Sequence, residues 1–287
     1  MGVDRRPARV WRGAGLALPA TALLVLCFAV PLLGILWQSL SAGAGGGVTG
    51  RQYVKALTDG YYLGVLWTTV RLSLWITLIS FGLGYPIAYL VTRVIHQRWL
   101  KRLVYAIVIA PLFTSAIVRA FGWMVLLGRQ GVVNKLLGGL GLIEEPLSLL
   151  FSEAGVIIGS VYILTPFMVL TVASVLQNLD RTLEDAAADL GARPFASFRT
   201  ITWPLSLPGV VAGAVIVFTL SMSAYVTPSV LGGGKVKVVA MLVFEQFMSL
   251  FQWPFGSALA VVLLVVTLAV IALTGRWGEG RLEGRAR

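Results

Sequence analysis

Few side chains in this sequence can serve as acids, bases, nucleophiles or metal ligands, and they do not converge. There is one histidine, His96, and one cysteine, Cys27. Together they cannot build a metal centre, and a lone thiol forms no internal disulfide. Gly232-Gly233-Gly234-Lys235 resembles the end of a phosphate-cradling loop. Ser229, however, stands where that loop needs its first glycine, and Val236 where it needs Ser or Thr. The run reads as a turn. No catalytic residue, metal or cofactor is expected.

The stretch 180–204 is patterned for contact instead. Thr182 and Asp185 have capping-box spacing. Ala186, Ala187 and Ala188 favour helix, and Gly191 suits the left-handed residue just past a helix end. Pro194 is a good first residue for a second short helix. Phe195, Phe198 and Ile201 then recur every three residues as one apolar stripe. Two short helices of this kind fit a partner's groove. A loop folded onto its own protein fits the pattern equally well.

The elements that carry this stretch follow from composition. Of the 287 residues, 57% are hydrophobic and 12% charged, and the mean hydropathy is +0.87. Soluble domains run at about 45–50% apolar and about 25% charged. A soluble enzyme is excluded, and so is a disordered chain. Six stretches are long and apolar enough to cross a bilayer core of about 30 Å: residues 16–40, 63–91, 103–127, 155–176, 205–231 and 255–274. An all-α membrane protein with six transmembrane helices is expected. The first apolar run is too long for a cleaved signal core. Pro86, Pro111 and Pro166 lie inside spans, where neighbouring helices or Ser/Thr groups must satisfy the freed carbonyls. Gly82 and Gly84 would let another helix approach closely.

The net charge of +11 is a topology signal before it is a hint of nucleic-acid binding. Alternate segments, among them those with Arg5 and Arg6, Arg93 and Arg98, Arg181 and Arg193, and Arg285 and Arg287, hold fifteen basic residues; the others hold six. The bias puts both termini and the 180–204 stretch in the cytoplasm. The expected organisation is a cytoplasmic segment over 1–15, a first transmembrane helix and outer loop over 16–62, a transmembrane core over 63–276 that carries the 180–204 loop on its cytoplasmic side, and a cytoplasmic tail over 277–287.

Asp185-Ala186-Ala187, Gly191, Ile201 and Pro204 resemble the EAA motif of ABC importer permeases, with Asp185 in the place of the usual Glu and Glu184 beside it. Residues 84–89, 110–115, 158–168 and 253–256 are similar to the spermidine/putrescine permease subfamily of the binding-protein-dependent type I family. The resemblance implies a type I ABC importer permease fold in a bacterial inner membrane. It implies a dimer of ATP-binding subunits, a second permease that makes a heterodimer, and an extracytoplasmic substrate-binding protein. The coupling loop would use Glu184, Asp185, Ala186, Ala187, Gly191, Ile201 and Pro204 to meet the ATPase. Polyamines are the implied cargo; an opine, an amino-acid derivative or a metal chelate is the alternative.

A polyamine is best received by aromatic faces and carboxylates. Trp75, Tyr85, Trp123, Tyr162, Phe167 and Tyr225 lie on or near spans, and each could equally anchor an interface or fill the bundle core. Glu144 and Glu145, with Asp59, Glu153 and Glu245, fall near the outer mouth, where a solvated loop or a docking surface is an equal reading. Arg71 and Arg119 lie inside spans and need partners. Arg119 could pair with an acid, cap broken-helix carbonyls, or line the path and favour an anion. No Asp or Glu falls within the six stretches, which argues against an ion-coupled secondary transporter.

Overall fold

The computed structural model describes residues 8–42 and 47–283. Arg5, Arg6, Arg285 and Arg287, and with them parts of the 1–15 and 277–287 segments, lie outside the described residues, as do residues 43–46. In chain order the helices are α1 (Ala8–Ser39), α2 (Arg51–Thr58), α3 (Gly60–Tyr89), α4 (Arg98–Ile109), α5 (Ala116–Leu127), α6 (Val132–Gly139) and α7 (Glu153–Asn178). There follow α8 (Thr182–Asp189), α9 (Pro194–Ser197), α10 (Trp203–Met222), α11 (Val226–Leu231), α12 (Val239–Met248) and α13 (Trp253–Glu283). Two π-helical turns, Leu90–Val94 and Phe198–Thr202, continue α3 and lead into α10. Among the described residues six helical segments are long and apolar enough to cross a membrane, and no named strand occurs.

The chain divides into two compact units, one of residues up to 59 with 243–262 and one of 60–242 with 263 onward. In the first, the Ser39 and Tyr53 hydroxyls share a hydrogen bond at 2.5 Å. The Lys55 ammonium sits 4.5 Å from the centre of the Phe255 ring. Cys27 is exposed on α1.

The second unit is built around α7, which packs against α3 and α10. Met168, Val169, Val172 and Leu176 on α7 are fully buried. Lipid tails are as apolar as these side chains, so close packing rather than water exclusion joins such helices. Glycines make that packing possible. A Cβ on Gly84 of α3 would lie 2.8 Å from Met168 Cγ, and one on Gly213 of α10 would lie 2.7 Å from Met168 Sδ. Gly82 does not share the role, because a Cβ there meets nothing within 4 Å.

Two of the expected spans are interrupted. Residues 103–127 form α4, a short 3₁₀ turn at Ala110–Phe113, a break, and then α5. Pro111 has no N–H to give a continuing helix. Residues 205–231 form α10 and α11, parted at Ser223–Tyr225. Pro228 follows the second break, in α11, and in an unbroken helix its ring would meet the carbonyl of Ala224.

Candidate functional site

The 180–204 stretch folds into two short helices, with one change at the first start. Thr182 is the opening helical residue rather than the cap. Its backbone N–H donates to Asp180 Oδ1 at 2.9 Å, so the aspartate two residues earlier supplies the oxygen. These hydrogen bonds from Thr182 hold the exposed Asp180 carboxyl below the usual carboxylate range. At the other end Gly191 takes φ +81°. Gly191 N–H donates to Ala188 O and Ala192 N–H to Ala187 O, each at 2.9 Å. This is a Schellman ending, which satisfies carbonyls the helix leaves open.

Pro194 begins α9 as expected. The apolar stripe divides. Phe195 is 73% exposed, whereas Phe198 turns in against Tyr85 and Tyr89, with ring centroids 6.1 and 5.4 Å away. A π turn starts at Phe198, closed by the Trp203 N–H on Phe198 O. Ile201, within that turn, is half-buried. Pro204 stands in the first turn of α10, and the wider π turn makes room between its ring and the carbonyl of Thr200.

The two neighbouring acids separate. Asp185 is exposed, like Ala186, while Ala187 is half-buried. Glu184 turns inward: its Oε1 accepts from Thr202 Oγ1 at 2.7 Å and lies 3.5 Å from Arg93 Nε. Arg93 is only 5% exposed and also donates to Leu179 O at 3.2 Å. Arg181 returns the contact, donating to Thr92 O at 2.6 Å. In the sequence Arg93 and Arg181 stand out only as topology charges, and Thr202 carries no signal. Their partners lie on other elements, which spacing within the loop does not reveal.

The aromatic candidates disperse. Tyr85 is buried at the same end as the loop, its hydroxyl 2.9 Å from Ser206 Oγ and its ring 5.2 Å from Trp203. Trp123 and Tyr162 meet edge to face at 5.4 Å and line an apolar groove of about 470 Å³ with Ile79, Leu83, Ile107 and Ile157. No charged side chain lines that groove. Phe167 packs on the core, Trp75 is 53% exposed, and Tyr225 sits at the break between α10 and α11.

Three of the acids, Glu144, Glu145 and Glu153, lie between α6 and α7 or at the start of α7. Glu144 and Glu145 are exposed on the segment between α6 and α7. That segment is pinned by the buried Asn134, which donates to Gly128 O at 3.1 Å and Leu147 O at 3.0 Å and accepts from Leu147 N–H at 2.9 Å. Glu153, the first residue of α7, is ion-paired to Arg71 of α3. Arg119 takes the second of its expected roles. Its guanidinium donates to Pro111 O and, at 2.6 Å, to Thr114 O across the break before α5. Among the described residues no group of three His, Cys, Asp or Glu could hold a metal ion.

A family model described as "Binding-protein-dependent transport system inner membrane component" matches residues 80–277. The chain is 36% identical over 215 residues to the spermidine/putrescine transport system permease protein PotB of Haemophilus influenzae, covering 75% of this chain and 74% of that one. It is 35% identical over 210 residues to the protein of the same description from Escherichia coli, covering 73% and 76%. Among solved structures, a chain of a bacterial alginate ABC transporter, in complex with an alginate pentasaccharide-bound periplasmic protein, superposes with a TM-score of 0.78 at 17% identity, covering 93% of each.

Proposed function

We propose, because this chain belongs to the family of binding-protein-dependent transport system inner membrane components and is the permease subunit of an ABC importer, that its cargo is a polyamine. The observation that carries the reading is the 36% identity, over three quarters of the chain, to a spermidine/putrescine permease. The geometry supports it. A polycation is repelled by bare cations on its path, and of the two intramembrane arginines one is neutralised by an acid while the other is turned to the break before α5. Arg71 is paired with Glu153, and Arg119 is spent on backbone carbonyls. Glu144 and Glu145 remain exposed on a pinned segment, where carboxylates attract a cation over roughly a Debye length of 8–10 Å. The path aromatics Trp75, Tyr85, Trp123, Tyr162, Phe167 and Tyr225 stay secondary candidates.

The subunit works in a bacterial inner membrane with both termini in the cytoplasm. A second permease completes the path. A dimer of separate ATP-binding subunits hydrolyses the nucleotide and meets the 180–204 loop, and an external binding protein delivers the cargo. The outward face of the loop, with Leu183, Asp185, Leu190 and Phe195 exposed, meets the ATPase. ATP-driven closure of the ATPase dimer moves the loop, and rigid helices swing to change access.

The test is uptake of radiolabelled spermidine by proteoliposomes that hold the assembled complex, ATP and the binding protein. ATP-dependent accumulation is expected. A binding protein that ignores spermidine and putrescine in calorimetry but takes an opine, an amino-acid derivative or a metal chelate overturns the polyamine reading.

A further inference from the structure

We propose that Arg93, Glu184 and Thr202 are positioning residues that lock α8 to α3 and α10, so that movement of the 180–204 loop reaches those helices as motion of one body. The proposal rests on the ATPase-coupled reading above and assigns what transmits the push.

Arg93 carries a charge at 5% exposure, and a buried charge is costly unless it is paired and hydrogen-bonded. What it engages comes from other elements. Its Nη2 donates to Leu179 O past the end of α7, and its Nε, which makes no hydrogen bond, is ion-paired at 3.5 Å with Glu184 on α8. The same Glu184 oxygen accepts from Thr202, in the π turn that enters α10. Arg181 then reaches back to Thr92 O in the π turn that ends α3. Four segments meet in one polar knot, two of them π turns, a conformation that is rare and is found often at functional sites.

The face of the knot matters. Successive residues on a helix point about 100° apart. Glu184 is therefore held inside while Leu183 and Asp185 on either side of it stay exposed. One helix can so be gripped from within and pushed from without. Beneath the knot, Phe198 and Trp203 pack on Tyr85, which continues the contact up α3. A loop held only by its chain ends would flex under the same push and waste the displacement.

The test uses spin labels on the intact complex, with Cys27→Ser as background and cysteines at the exposed positions Ala188 on α8 and Leu83 on α3. In the parent chain the α8-to-α3 distance distribution is expected to be narrow and the same without nucleotide and with ATP bound. Arg93→Gln, Glu184→Gln and Thr202→Val should each broaden it at least twofold and make it shift with ATP; Thr202→Ser, which keeps the hydroxyl, should restore the narrow distribution. The ratio of cargo moved to ATP hydrolysed should fall several-fold in the same variants. A parent distance that changes with ATP overturns the proposal, as do variants as narrow as the parent. A parent chain that purifies without an ATPase removes the coupling reading and this proposal with it. A complex that stays assembled but fails the distance test removes the proposal alone.

Discussion

The guanidinium of Arg119 is hydrogen-bonded to the carbonyl oxygen of Pro111 across the break between α4 and α5. Thr114 Oγ1 donates to the same carbonyl at 2.9 Å. A span can be interrupted at membrane depth only if the freed backbone groups find donors within the protein. Arg119→Met removes the charged donor from Pro111 and Thr114. Hydrogen bonds to charged groups contribute about 1.5–3 kcal/mol, so the purified complex should melt several degrees lower, and Arg119→Lys should recover part of the loss. An unchanged melting curve for Arg119→Met would show that the break holds itself.

Gly213 and Gly82 make a matched pair. A Cβ on Gly213 would sit 2.5 Å from Thr171 Oγ1 and 2.7 Å from Met168 Sδ, while one on Gly82 meets nothing within 4 Å. Overpacking a tight contact costs about 1–3 kcal/mol. Glycine to alanine in an open helical position gains up to about 1 kcal/mol. Gly213→Ala should therefore lower the melting temperature and Gly82→Ala should hold or raise it. Equal effects would mean that α7 and α10 are not packed this closely.

Why one glycine of the pair Gly82 and Gly84 approaches α7 and the other does not was hidden in the sequence. In α3 both the lipid-facing and the core-facing residues are apolar, so hydropathy carries no face. The prolines show the same limit: α3 and α7 run through Pro86 and Pro166, while the segment with Pro111 breaks. The outcome depends on which donors lie nearby in space. Features set by local backbone preference were legible, namely the left-handed Gly191 and the start of α9 at Pro194. The inward turn of Glu184 was not, since Arg93 belongs to a different span and Thr202 to the following helix.

Gly191 has open space around it but a φ of +81°, so its constraint is conformational and not steric. A side chain there costs about 1–2 kcal/mol in the left-handed region and loosens the Schellman ending that aims α9. Gly191→Val should leave membrane insertion and assembly intact. Uptake per ATP hydrolysed in proteoliposomes should drop several-fold, and Gly191→Ala should fall between. Parent-like coupling in the valine variant would count against the loop as the ATPase contact.

Asp180 gives the same loop a pH signature. Hydrogen bonds from Thr182 lower its folded-state pKa, so ionised Asp180 favours the folded start of α8 above the unfolded carboxylate value of about 3.9. That contribution is lost as pH falls through the lower, folded value. Amide exchange at the start of α8, corrected for intrinsic rates, should be constant from neutral pH to about pH 5 and accelerate below about pH 4. Asp180→Asn should flatten the profile. A profile of the same shape in both chains would mean that this cap does not order α8.

Glu144 and Glu145 test the cargo from the other end of the unit. Both are exposed, and Asn134 fixes the segment that carries them, so Glu→Gln exchanges there remove charge with little change of shape. If the pair gathers a polycation, Glu144→Gln with Glu145→Gln should raise the KM for spermidine uptake several-fold at low ionic strength and leave kcat close to parent. Because the attraction acts through solvent, the difference should shrink toward physiological salt, as the Debye length contracts from about 30 Å at 0.01 M to about 8 Å at 0.15 M. A surface that docks the binding protein behaves differently: the KM for that protein would rise with the KM for spermidine. Titrating the two separately therefore tells a cation funnel from a docking face, and a double variant indistinguishable from parent at low salt returns both residues to a solvated loop.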